Sequence, residues 1–104
     1  MEEKKTTATI NIELNEEVGE GTYSNLAIIS HSHAEFVIDF VRVMPNLPKA
    51  KVKARIILPP AHAKRFLLAL TENIKKYEAQ YGPIKDVEPT GGYPLHFKMP
   101  KGQA

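Results

Sequence analysis

The sequence predicts an α+β domain: a four-stranded antiparallel sheet followed by one long C-terminal helix (β-β-β-β-α), with flexible tails at both ends. Three observations carry this. Alternating stretches recur between residues 7 and 58, and short connections rich in Gly, Pro, Asn or Ser separate them. After Pro59-Pro60 the apolar spacing changes from two to three and four, and it holds as far as Gly82-Pro83.

Residues 1–6 read as a polar tail. From Thr7, the residues Ala8, Ile10, Ile12 and Leu14 share one face and Thr9, Asn11 and Glu13 the other, the pattern of a half-buried strand. The stretch 15–21, with two glycines and three acids, reads as a hairpin connection. Tyr23 to Ser30 is the second strand and His31-Ser32-His33-Ala34 the next turn. The third strand, Glu35 to Met44, has Phe36, Ile38 and Phe40 on one face and Val37, Asp39, Val41 and Val43 on the other. Apolar residues on both faces predict a central strand covered on both sides, with a partner subunit as one source of cover for the second face.

Pro45-Asn46-Leu47-Pro48 is a turn, because prolines cannot continue a strand ladder. Lys49 to Leu58 is the fourth strand. Ala50, Val52, Ala54, Ile56 and Leu58 are predicted on an inward face, with Lys49, Lys51, Lys53 and Arg55 on an outward one. Pro60 is preset for the first turn of a helix. Ala63, Phe66, Leu67, Leu70, Ile74, Tyr77 and Tyr81 then form one apolar stripe, Gly82 caps the end and Pro83 forbids continuation. Such a helix is about 30 Å long, more than a short sheet needs as cover. The domain therefore spans residues 7–82. The Pro/Gly-rich remainder, 83–104, reads as a mostly flexible tail, although Tyr93, Leu95, Phe97 and Met99 alternate within it.

At 104 residues the chain has the length of one domain, and domains of this size bury about two-thirds of their unfolded surface. Self-association would widen so thin a stability margin. The absence of cysteine excludes disulfides, thiolate metal sites and cysteine nucleophiles, and favours a reducing cytoplasmic setting. The N-terminus has no apolar signal core, and no apolar run approaches the roughly 18 residues of a membrane span.

Charge is uneven. Residues 1–22 carry six acids against two bases, and residues 23–104 twelve bases against six acids. A basic body suits an acidic or polyanionic partner, and equally suits plain solvation. The candidate binding surface is the basic strand, Lys49, Lys51, Lys53 and Arg55, extended by Lys64 and Arg65 at the helix start. Lysines so placed contact phosphates or an acidic protein, or protect a strand from aggregation. No aromatic residue interleaves them to stack on bases.

Other constellations are weaker. His31-x-His33 with Asp39 or Glu35 lacks a third ligand at a fixed spacing, so no metal site is assigned. Asp39, set among apolar residues, is expected to pair with Arg55 or Arg42 rather than to act as an acid or base. The helix start lacks a Gly-rich phosphate loop, and two prolines remove donors there, so no nucleotide or other cofactor is expected. No catalytic motif is legible. The reading is a non-enzymatic interaction module that self-associates, a dimer being favoured, with no small-molecule substrate and no membrane partner.

Several strings carry a family resemblance: Ser24-Asn25-Leu26-Ala27, Ser30-His31-Ser32, Glu35-Phe36-Val37-Ile38-Asp39-Phe40, Pro45, Ala50-Lys51-Val52, Arg55-Ile56, Pro60-x-His62-Ala63-Lys64 and Asn73-Ile74-x-x-Tyr77-Glu78. Together they resemble the bacterial family catalogued as domain of unknown function 3467. Pro59 departs from the pattern, standing where a capping serine is expected. The resemblance implies a small intracellular protein without known catalytic residues. Through relatives beside genes for RNA polymerase subunits, it also implies a transcription-associated role, with RNA polymerase or nucleic acid as partner. The topology is also similar to that of the export chaperone SecB, an analogy of fold that would suit binding of unfolded clients.

Overall fold

The computed structural model describes residues 8–46 and 48–85. In chain order the elements are a single-turn helix α1 (Glu16–Gly19), strands β1 (Leu26–His31), β2 (Phe36–Arg42) and β3 (Lys51–Leu58), and the long helix α2 (Pro60–Tyr81). The strands form one antiparallel sheet in the order β1-β2-β3. The class is α+β, as expected.

The sheet has three strands among the described residues rather than four. Residues 8–14 alternate as a strand should, yet they take no regular structure and are exposed, Ile12 by 93%. Alternation provides a face that a sheet could bury; it does not provide the sheet edge to pair with. The stretch after it, expected as a hairpin connection, holds α1 instead. Asn15 caps this turn, its Oδ1 accepting from the Val18 N–H at 2.8 Å. Residues 1–7 and 86–104, which include most of both expected tails and the alternation from Tyr93 to Met99, lie outside the described residues.

β2 is central, and its burial falls on both faces. Ile38 is buried on one, Asp39 and Val41 on the other, and Val43 is buried just beyond the strand end. Polar side chains extend the pairing of β1 and β2 past its last residues. The Asn25 amide takes the Val43 N–H on Oδ1 (2.8 Å) and donates Nδ2–H to the Val43 carbonyl (2.9 Å), imitating a peptide group of a neighbouring strand. The Asn25 backbone N–H reaches the Val41 carbonyl (3.1 Å), and the Ser24 hydroxyl lies within hydrogen-bonding distance of the carbonyls of Leu26 and Val41. Two strings that carried the family resemblance are therefore structural. The second is Ser32, whose Oγ accepts from the N–H groups of Ala34 and Glu35 and whose own N–H meets the Glu35 carbonyl, closing the β1–β2 turn.

α2 has the bounds that its sequence dictates. The Pro59 carbonyl accepts from the N–H groups of His62 and Ala63, and no side chain caps the start, as the proline at that position implies. At the other end Gly82 takes a φ of +95° and returns its N–H to the Glu78 carbonyl at 2.8 Å. None of the residues of α2 is buried. The stripe expected to complete a core with the sheet is instead exposed along the helix, Leu67 by 60% and Leu70 by 47%.

Candidate functional site

The basic strand is not one surface. Asp39 opposes Arg55 and Phe40 opposes Ala54, but Val41 opposes Val52 and Arg42 opposes Lys51. One residue, Lys53, is extra on β3. A bulge of this kind reverses which side chains share a face, because side chains alternate along a strand. Arg55 therefore lies on the face of Asp39 and Val41, whereas Lys51 lies with Arg42 on the face of Ile38 and Phe40. The same reversal divides the expected inward face. Ala54, Ile56 and Leu58 stay with Phe36, Ile38 and Phe40, while Val52 joins Val41 on the opposite side. Val52 and Ile56 are exposed rather than core.

The four residues also differ in what they do. Arg55 binds Asp39 in a bidentate pair, Nε–H to Oδ1 at 2.6 Å and Nη2–H to Oδ2 at 2.8 Å. These hydrogen bonds to Asp39 raise the Arg55 pKa above its ordinary value; desolvation opposes the shift and the carboxylate charge adds to it. The pairing settles which arginine meets Asp39. Arg42, three residues along the same strand, faces the other way and lies over the Tyr23 ring at 5.8 Å, a cation–π distance.

What the register brings together instead is a cationic end of the sheet. Lys51 and Arg42 face each other across β2 and β3, and Lys49 and Lys53 flank them, all four exposed. Arg42 is the member that sequence reasoning missed, since cross-strand register cannot be read from one strand. Lys64 and Arg65 are exposed in the first turns of α2.

The remaining candidates have ordinary settings. His31 ends β1 and stacks on Phe36, its cross-strand neighbour, with ring centroids 5.4 Å apart. His33 is exposed in the turn. No three His, Asp or Glu side chains gather closely enough to hold a metal ion among the described residues. No described helix is long and apolar enough to cross a membrane.

With this geometry in place, a family model described as Protein of unknown function (DUF3467) matches residues 1–86. The chain belongs to the DUF3467 family. The match covers the sheet, the cationic end and the whole of α2. Neither the curated proteins nor the solved structures contain a match to the chain. Membership in DUF3467 supplies no activity.

Proposed function

We propose that this member of DUF3467 is a self-associating interaction module, a dimer, that uses α2 as its contact surface. One observation carries the reading: a continuous apolar stripe runs the length of a 22-residue helix and is left exposed by the rest of the described chain. A helix with one apolar face draws most of its stability from packing that face. A second copy supplies an equally apolar face. The side chain best suited to acid–base chemistry, Asp39, is held by Arg55, which supports a binding rather than an enzymatic role. Sedimentation equilibrium at micromolar concentrations is expected to give twice the chain mass; a single-chain mass at high micromolar concentration overturns the reading.

A second reading rests on the cationic end. Arg42, Lys49, Lys51 and Lys53 suit a polyanion or an acidic surface, as on RNA polymerase or nucleic acid in a transcription-associated role. Binding to a duplex DNA or RNA probe is then expected to weaken steeply with salt, and Lys49→Glu, Lys51→Glu and Lys53→Glu together to reduce the slope of log affinity against log salt by about two to three. Binding that is independent of salt removes this reading.

A further inference from the structure

The stripe of α2 contains a stricter pattern than amphipathicity requires. Ala63, Leu67, Leu70, Ile74, Tyr77 and Tyr81 are separated by four, three, four, three and four residues. This is the a/d seam of a heptad repeat, the spacing that lets two helices pack side by side over several turns. Five of the six are exposed in the described chain, and Ala63 is half-exposed.

Orientation follows from size and charge along the seam. In a parallel pair each residue meets its own copy, so Tyr77 would face Tyr77 and Ala63 would face Ala63. An antiparallel pair centred near residue 72 matches large with small: Ala63 against the partner's Tyr81, Leu67 against the partner's Tyr77 and Leu70 against the partner's Ile74. The flanking positions agree. Lys64 and Glu78 occupy equivalent flanks at opposite ends of the helix, and the antiparallel arrangement places Lys64 beside the partner's Glu78, twice by symmetry. Glu78 is held at that end, since its Oε2 also accepts the Ile84 N–H at 2.9 Å. A parallel pair would set Asn73 against Glu78 and Phe66 against Thr71, with no opposite charges. Pro59 is the only residue between β3 and α2, so a parallel pair would also crowd both sheets at one end, whereas an antiparallel pair separates them by the helix length.

From this we infer that two copies associate through α2 in an antiparallel heptad packing, with Lys64 paired to the partner's Glu78 and Thr71 beside the partner's Thr71 at the two-fold axis. The inference rests on self-association and adds its geometry.

The absence of native cysteine makes single-cysteine variants of the full chain unambiguous reporters. Under mild oxidation Thr71→Cys is expected to give a covalent dimer at roughly ten times the yield of Leu68→Cys, which lies off the seam. Lys64→Glu and Glu78→Lys are each expected to raise the dimer dissociation constant roughly tenfold by turning two attractive pairs repulsive, and their combination to return it to within about threefold. A dimer that shows neither the Thr71→Cys cross-link nor rescue by the combined charge exchange overturns the antiparallel packing and leaves self-association standing. A chain that sediments as a monomer overturns both.

Discussion

Arg55 grips Asp39 across β2 and β3 with two hydrogen bonds, and the two partners sit in unequal environments: the Asp39 side chain is wholly buried, while 40% of the Arg55 side chain remains exposed. A charge removed from water is tolerable only when paired and hydrogen-bonded. The guanidinium performs that service for the carboxylate, and solvent shares in performing the reverse.

That inequality gives an ordered prediction. Arg55→Met strips the guanidinium from a buried carboxylate, whereas Asp39→Asn leaves a half-exposed arginine that water can solvate. Arg55→Met is expected to be the more destabilising, lowering the melting temperature by at least about 5 °C at neutral pH. Thermal melts of both variants beside the wild type at neutral pH check the order.

Asn25 is the second test of the sheet. Its amide replaces the strand neighbour that Val43 would otherwise lack, meeting both the N–H and the carbonyl of a buried residue. Asn25→Ala leaves both groups without these bonds and is expected to cost about 1–3 kcal/mol in urea denaturation. Asn25→Asp can still accept from the N–H but sets a carboxylate against the Val43 carbonyl, so it should recover only part of the loss.

Gly82 ends α2 at φ +95° and ψ 170°, a conformation that essentially only glycine occupies. A Cβ added there meets no atom within 4 Å, so the cost of Gly82→Ala is backbone strain alone, about 1–3 kcal/mol. With no buried residue in α2 to resist it, the strain should be relieved by fraying of the last turn. The expected readout is a small loss of helical circular dichroism and faster hydrogen exchange of the backbone N–H at position 82, while the sheet amides stay protected.

Legibility in the sequence divided along local and non-local lines. Both ends of α2 were readable because their causes are local: a proline ring that presets φ at Pro60 and a positive φ at Gly82. The central place of β2 was readable from apolar residues on both of its faces. Register was not, because it belongs to two strands at once. The extra residue at Lys53 therefore passed unseen, and with it the separation of Lys51 from Arg55, the gain of Arg42 and the choice of Arg55 over Arg42 for Asp39. Residues 8–14 carried the right alternation for a fourth strand, but periodicity cannot show whether an edge accepts them.

The last prediction separates the two kinds of apolar residue in this chain. Val41 is 3% exposed in the central strand, so Val41→Ala removes buried methyl groups and leaves a cavity, at about 2–3 kcal/mol. Leu70 is already half in water, so Leu70→Asp removes little from the fold of one chain; on the seam of α2 it places a carboxylate where a second copy must pack. Val41→Ala should lower the urea midpoint at every protein concentration. Leu70→Asp should leave the sheet's protection against hydrogen exchange close to wild type at high dilution, yet abolish the rise in stability with concentration that a dimer confers. If Leu70→Asp instead unfolds the sheet at high dilution, α2 packs on its own domain in solution and its stripe is core. If wild-type stability shows no dependence on concentration, α2 is not the dimer contact.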